Sequence, residues 1–339
     1  MNTPILVLAP AALVLSALLT YVARRLALAH GILDIPNARS SHTETVPRGG
    51  GIAIVATMTM ALGILLWLGL VQSGLFLALV VGGGAVAAVG FVDDRHRLPA
   101  RWRLTVHTLA AVWAVYWIGG LGVVSVGEHL AHPGWIGIGL AVLGVVWVLN
   151  LFNFMDGIDG IAAGEALFVA AAGALLALSG GNGAVAGTAW VFAWACGGFL
   201  CWNWPPARVF LGDVGSAYLG YVIIVLALAD AAVRPVAIWQ WFILGALFFA
   251  DSTLTLLRRL FRGDRVYEAH RQHAYQRLAR RFGSHGRVTV LVLVVDLLWL
   301  LPCAMWAAAW PAGAIRLAVV AALPLVLGFW LLGAGGRRQ

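Results

Sequence analysis

Lysine is absent from this chain of 339 residues; all 22 basic residues are arginine. Charged residues of both signs make up only 11% of it, and cysteine occurs three times, with no C-x-x-C pair. So little charge excludes a soluble globular domain. Three cysteines inside or beside apolar runs, Cys196, Cys201 and Cys303, exclude a disulfide framework and a thiolate metal site, and read as small buried hydrophobes. No repeat of 20 to 50 residues stands out.

What the chain has is apolar sequence: 62% hydrophobic residues and sixteen tryptophans, with a mean hydropathy of +0.91. A bilayer core requires about 20 apolar residues per helix. Eleven runs meet that need, at 4–23, 50–70, 74–92, 103–120, 135–152, 160–179, 185–202, 214–232, 237–257, 287–309 and 313–333. The expectation is an all-α, polytopic membrane bundle of about eleven helices forming one domain over 1–339. The first run lacks a basic flank before it and a cleavage site after it, and Arg24 and Arg25 follow, so it reads as a span rather than a leader. With that run crossing from outside to inside, twenty arginines fall on the inner face and only Arg234 and Arg316 outside. Such a bias fixes orientation, with the amino terminus outside and the carboxy terminus cytoplasmic. The net charge of +8 is then topology, attracted to an anionic inner leaflet, and requires no nucleic-acid partner.

The same topology gathers the carboxylates in the inner segments 24–49, 93–102, 153–159, 203–213 and 258–286, which are expected to build one site. In GFVDDRHRLPARWR the adjacent Asp93 and Asp94 repel, and Arg95, Arg97, a divalent metal or a substrate must offset them; a solvated acidic helix end is the plainer reading. In NFMDGIDG, Asp156 and Asp159 stand three apart, on one face of a helical turn, and Asn153 adds a neutral oxygen suited to a hard cation. The stretch is neither a G-x-G-x-x-G fingerprint nor a P-loop, and a polar helix cap is the alternative reading, one that does not preclude catalysis. In NWPPARVFLGDVGS the prolines end one helix and Asp213 opens the next, either as a simple helix cap or where exposed amides suit phosphate. Phe210 offers a ring to a base, or simply packs. In EAHRQHAYQR, His270, Arg271, His273 and Arg277 combine imidazole with the guanidinium fork that suits a diphosphate; a solvated amphipathic helix and a His-x-x-His zinc pair are the alternatives. Asp251 is expected to pair with Arg258 or Arg259.

In these motifs the chain resembles the polyprenyl-phosphate N-acetylhexosamine-1-phosphate transferases, glycosyltransferase family 4. The resemblance runs through DIPNARSSHTETVPRGGG, GFVDD, NLFNFMDGIDG, FLCWNWPPARVFLGDVGS and HRQHAYQ, in family order from Asp34 to Gln276. It implies a Mg²⁺-dependent enzyme, with Mn²⁺ as substitute, in the bacterial cytoplasmic membrane with its site facing the cytoplasm. That enzyme moves a sugar 1-phosphate from a UDP-N-acetylhexosamine to undecaprenyl phosphate, releases UMP, and starts O-antigen or other surface-polysaccharide synthesis. The resemblance makes Asp93, Asp94, Asp156 and His270 catalytic, with Asp93 deprotonating or orienting the lipid phosphate. Asp213 becomes the main metal ligand, assisted by Asn153. Asp159 and Phe210 hold the uracil, Asn203 lies near the diphosphate, Arg271 and His273 bind the diphosphate and sugar, and Arg39, His42 and Arg48 close over the nucleotide.

Two departures bear on specificity. The fifth inner segment reads His-Arg-Gln-His-Ala-Tyr-Gln, similar to transferases that use UDP-N-acetylfucosamine, UDP-N-acetylquinovosamine or UDP-GlcNAc, and Arg103-Leu104-Thr105-Val106-His107 stands where the family has Lys-Leu-x-x-Gln. The readings to be weighed against this are a lipid-carrier flippase, a phospho-MurNAc-pentapeptide transferase, a membrane phosphatase and a CDP-alcohol phosphotransferase. A homodimer is a further open expectation.

Overall fold

The computed structural model describes residues 2–36, 44–96, 98–264 and 271–336. Arg39, His42 and His270 lie outside the described residues. The chain is 77% helical. Its elements are α1 Thr3–Ala29, the pair β1 Leu33–Asp34 and β2 Val46–Pro47, α2 Ile52–Trp67, α3 Ser73–Leu77 running through a π turn into α4 Gly83–His96, α5 Ala100–Ile118, the hairpin β3 Val124–Val126 and β4 His129–Ala131, and α6 Gly134–Met155. There follow α7 Ile161–Ser179, α8 Gly183–Asn203, α9 Asp213–Ala231, α10 Ala237–Leu244, α11 Ala246–Phe261, α12 Ala274–Phe282, α13 His285–Val295 running through a second π turn into α14 Leu301–Ala309, and α15 Ala314–Leu331.

Each of the eleven apolar runs is helical. Among the described residues, eight helical stretches are long and apolar enough to cross a membrane, nine if α10 and α11 form one span bent by 72°. The other two runs are α2, with 16 residues, and α5, which carries Arg101 and Arg103 in its first turn. The protein is therefore a multi-pass membrane protein. The sequence gives no warning of the bend: 237–257 reads as one run, and the break falls at Gly245.

Burial is graded from the middle outward. In α9, 89% of the apolar window is buried, against 28% in α1 and 22% in α15. Helices α4 and α6 pack on α9, and α8 lies between α1 and α7. Small residues allow this closeness: a Cβ on Gly198 of α8 would stand 2.2 Å from the Leu13 carbonyl of α1, so the backbones touch there. The outward faces of the rim helices show Val7, Val14, Leu18 and Leu323, as lipid-facing helices do, and the exposed rings of Trp67 and Trp135 sit at helix ends where membrane interfaces place them. All three cysteines are free; Cys196 and Cys303 are buried as expected, but Cys201 is exposed.

The two ends of the bundle differ in chemistry. At one, β3–β4 is tied to α10 by the Trp239 indole, which donates to the Ser125 carbonyl at 2.6 Å. Nearby, the buried Asp230 accepts from Arg234, from the Asn182 amide at 3.1 Å and from the Trp241 indole at 2.9 Å. The other end carries β1–β2 and the polar segments described below. There Asp251 departs from expectation. Its buried carboxylate accepts from the Ala274 and Tyr275 amides at 2.9 and 3.0 Å and from the Thr255 hydroxyl at 3.1 Å, so it caps α12, whose own N-cap His273 supplies no side-chain acceptor. Arg258 turns to the Ala334 carbonyl and the Trp330 ring, and Arg259 to Asp264 at 3.9 Å. Asp296, in the second π turn, faces Glu165 of α7 inside the bundle.

Candidate active site

The centre of the polar end is the start of α9. Gly212 precedes that helix at φ 76°, a left-handed conformation, and provides no side-chain cap. The orphan amides of Asp213 and Val214 are met instead by Asp94, which accepts them at 2.9 and 3.2 Å from the last turn of α4. Helix α4 can come this near because residue 90 is glycine: a Cβ there would sit 2.5 Å from the Asp213 carbonyl oxygen. One carboxylate of the Asp93–Asp94 pair is thus a helix cap supplied from another helix.

Two distant arginines complete the cluster. Arg48 places Nε 2.7 Å from Asp94 Oδ1 and Nη2 2.7 Å from Asp213 Oδ1. Arg103 places Nη1 2.7 Å from Asp93 Oδ2 and 3.3 Å from Asp213 Oδ2, while Asp93 Oδ1 accepts the Leu98 amide. The offset for the paired aspartates therefore comes from positions 48 and 103; Arg95 lies over the Phe91 ring at 4.5 Å, and Arg97 is outside the described residues. Burial opposes the charge of Arg48, but Asp213 and Asp94, with Asp34 and Asp156 beyond, outweigh it and hold the guanidinium above its ordinary pKa. Burial also pushes the Asp156 carboxyl well above the ordinary range; Arg48 works against this, and Asp213, Asp94 and Asp159 add to it. His107, one helical turn beyond Arg103, is buried in α5.

A second knot joins the turn after α6 to the segment before α9. Asp159 Oδ2 accepts the Ala207 amide at 3.0 Å, and its Oδ1 lies 3.1 Å from His285 Nδ1. The Thr289 hydroxyl donates to the Asp159 carbonyl at 2.8 Å. Asn203 is buried with both ends of its amide engaged, Oδ1 accepting the Gly160 amide at 3.0 Å and Nδ2 donating to the Val209 carbonyl at 2.9 Å. What it visibly does is pin two loops together. The loop before α9 is joined in turn to the β2 segment, with Phe210 N donating to Pro47 O at 2.8 Å and Gly50 N to Phe210 O at 2.9 Å. Tyr275 of α12 reaches the Phe154 carbonyl at 2.9 Å, and the His273 ring stacks between Phe154 and Tyr275.

These knots leave two cavities on either side of β2. One, of about 670 Å³, is lined by Asp159, Phe210, Arg271, Gln276 and His285, and by Val46. The other, of about 590 Å³, is lined by Arg48, Asp93 and Asp94 together with the apolar Ile32, Leu33 and Ile35. Val46 of β2 lines the first cavity and Arg48, just past the strand, the second. A third cavity, of about 570 Å³ and nearly all apolar, lies within the bundle between α6, α9, α15 and the bent α10–α11 pair.

The structure thus brings Arg48, Asp93, Asp94, Asp156 and Asp213 together, and sets Asp159, Phe210 and Arg271 round an adjoining cavity, with His273 buried behind it. Sequence reasoning did not select Arg103, His285 or Gln276. For Arg103 the signal was present in the Arg-Leu-x-x-His departure, and for Gln276 in its place as the last residue of HRQHAYQ; His285 carries no motif that singles it out. For a metal, the donor chemistry fits: Asp93, Asp94, Asp156 and Asp213 gather hard carboxylate oxygens beside Arg48 and Arg103. Among the described residues no three His, Cys, Asp or Glu side chains surround a common point; a magnesium ion needs only one or two carboxylates beside water and phosphate.

Comparison with known proteins agrees in class. The family described as glycosyl transferase family 4 matches residues 76–230. A probable undecaprenyl-phosphate N-acetylglucosaminyl 1-phosphate transferase of Bacillus subtilis (strain 168) is 30% identical over 291 residues, covering 81% of this chain and 77% of that protein. The undecaprenyl-phosphate alpha-N-acetylglucosaminyl 1-phosphate transferase of Escherichia coli O157:H7 is 28% identical, covering 84% and 79%. The phospho-N-acetylmuramoyl-pentapeptide-transferase of Moorella thermoacetica is 37% identical over a shorter stretch, covering 62% and 74%.

Proposed function

The chain belongs to glycosyl transferase family 4, the polyprenyl-phosphate N-acetylhexosamine-1-phosphate transferases, and from that premise we propose that it transfers GlcNAc 1-phosphate from UDP-GlcNAc to undecaprenyl phosphate, releasing UMP, at the cytoplasmic face of the inner membrane. The product would begin a lipid-linked surface polysaccharide. The donor is chosen because the Bacillus and Escherichia relatives are named for N-acetylglucosamine. The observation that carries the reading is the Arg48–Asp94–Asp213–Arg103–Asp93 cluster, whose Arg48, Asp93 and Asp94 line one cavity while Asp159, Phe210 and Arg271 line a second.

In this reading the nucleotide occupies the larger cavity, its uracil against Asp159 and Phe210 and its diphosphate toward Arg271 and His273. The lipid phosphate enters beside Arg48, Asp93 and Asp94, and the apolar cavity under the bent helix pair takes part of its chain. Arg103, already 2.7 Å from Asp93, is positioned to hold the acceptor phosphate against that carboxylate. Asp93 takes the proton of the acceptor. The acceptor oxygen forms a bond to the β-phosphorus, the bond from that phosphorus to the bridging oxygen breaks, and UMP leaves with that oxygen and its electron pair. Asp213, assisted by Asn153 and Asp156, would hold a magnesium ion, which would neutralise the charge of the diphosphate. A covalent aspartyl intermediate is the competing scheme.

The test is UMP release by purified protein with undecaprenyl phosphate and a panel of UDP-sugars, in Mg²⁺ and in chelator. UMP is expected only with UDP-GlcNAc, lipid and metal together. Turnover of UDP-MurNAc-pentapeptide alone would move the assignment toward the Moorella relative's activity. No turnover of any donor beside a working control transferase would overturn the proposal, and a trapped phospho-sugar enzyme formed without lipid would overturn direct displacement.

A further inference from the structure

The start of α13 forms part of the wall of the candidate nucleotide cavity. Gly283, Ser284, His285 and Gly286 all line it, together with Asp159 and Phe210. Ser284 caps the helix, its hydroxyl accepting the Arg287 amide at 3.3 Å, so His285 is the first helical residue and stands at the cavity. The transfer scheme gives this histidine no part.

Two side chains one turn apart on α13 grip residue 159 at both its main chain and its side chain. The Thr289 hydroxyl donates to the Asp159 carbonyl at 2.8 Å, and His285 Nδ1 lies 3.1 Å from Asp159 Oδ1. Glycine at 160 permits this approach: its φ is 74°, and a Cβ there would stand 3.3 Å from Pro205 Cδ and 3.5 Å from Thr289 Cγ2. The other carboxylate oxygen, Oδ2, accepts the Ala207 amide at 3.0 Å. A ring nitrogen and a carboxylate oxygen 3.1 Å apart need a hydrogen between them, so the ring carries a proton on Nδ1 and donates it to Oδ1. The Asp159 amide, 3.4 Å from the same nitrogen, is the longer contact. Asp159 is thus held at both oxygens by donors from two separate segments, which fixes the plane of its carboxylate. The two side chains are only 19% and 13% exposed, so water competes little for the bond between them.

We propose, on the reading that this cavity takes the nucleotide, that His285 is a positioning residue for base selection: its Nδ1–H sets the Asp159 carboxylate in the orientation that accepts the N3–H of uracil. An ionised carboxylate accepts hydrogen bonds and donates none. Uracil offers N–H at N3, where cytosine offers a lone pair, so a carboxylate fixed at that edge attracts one base and repels the other. A carboxylate released on one side can turn away from the lone pair, and the discrimination falls. His285 acts on recognition of the base; the phosphoryl transfer passes through other groups.

Calorimetric titration of the full-length protein with UMP and with CMP tests this without turnover. The unaltered protein is expected to bind UMP about tenfold or more tightly than CMP, and His285→Ala to weaken UMP about tenfold but CMP less than about threefold, the scale of one hydrogen bond to a charged group. Asparagine carries an N–H donor where imidazole carries Nδ1, so His285→Asn should restore most of the preference; glutamine carries its donor where imidazole carries Nε2, and His285→Gln should not. In an Asp159→Asn background His285→Ala should change the UMP-to-CMP ratio no further, because the pair acts as one unit. Equal weakening of UMP and CMP in His285→Ala would show a ring that merely holds the loop, and that result, unchanged binding of both nucleotides, or no recovery in His285→Asn would overturn the proposal. Failure of the unaltered protein to bind UMP would overturn the nucleotide reading of the cavity itself, and this role with it.

Discussion

Removing the carboxylate of Asp251 tests whether α12 is held in place from outside itself. The side chain is fully buried and satisfies the first two amides of α12 and the Thr255 hydroxyl. In Asp251→Ala both amides lose their acceptor, and a helix of nine residues has little stability of its own. Losing a cap costs about 0.5–2 kcal/mol, and leaving a buried donor unpaired about 1–3 kcal/mol, so about 2 kcal/mol is a fair figure for freeing the first turn. That turn carries Gln276 and follows Arg271, both lining the candidate nucleotide cavity. If nucleotide binding must restore the docked state, about 2 kcal/mol becomes roughly a 30-fold rise in apparent donor KM. The reacting groups near Asp93 and Asp213 are untouched, so kcat at saturating donor should stay within about threefold. Steady-state UMP release over a range of UDP-GlcNAc measures both constants. A fall in kcat at constant KM would show that Asp251 acts on the chemistry, and unchanged kinetics would show that α12 needs no cap.

Three further outcomes follow from the same geometry. Asp93→Asn should lower kcat by about 10²–10⁴, the usual worth of a general base, while donor binding by calorimetry stays near wild type; full activity would remove Asp93 from the mechanism. Gly90→Ala should cost most of the activity because its Cβ would meet the Asp213 carbonyl at 2.5 Å, whereas Gly84→Ala in the same helix, with open space around it, should be silent; equal effects would refute the close-approach argument. Asn203→Ala should destabilise the protein by about 1–3 kcal/mol, through the orphaned Gly160 amide and Val209 carbonyl, and thermal unfolding in detergent should report it; an unchanged midpoint together with a lost activity would instead make Asn203 a substrate ligand.

The sequence alone determined the class of molecule and much of the membership of its polar end. Apolar runs of membrane length must be helical because lipid offers no partner to a bare peptide group, and all eleven are. Asp93, Asp94, Asp156 and Asp213 were legible because carboxylates are costly beside apolar runs unless something answers them. Which residue answers which was not legible. Arg48 and Arg103 lie 46 and 9 residues from Asp94 along the chain, and only the packing that brings the Asp93–Asp94 end of α4 against the start of α9 lets both reach Asp213 while each holds one of that pair. The roles of Asp94 and Asp251 as caps for helices other than their own have the same origin, since a helix end's need for an acceptor is local but its supplier is wherever the fold brings one. The 72° bend at Gly245 likewise leaves no trace in hydropathy, which records composition along the chain and not direction. Solvent and bilayer decide which segments cross; side chains meeting across the folded bundle decide what stands in the pocket.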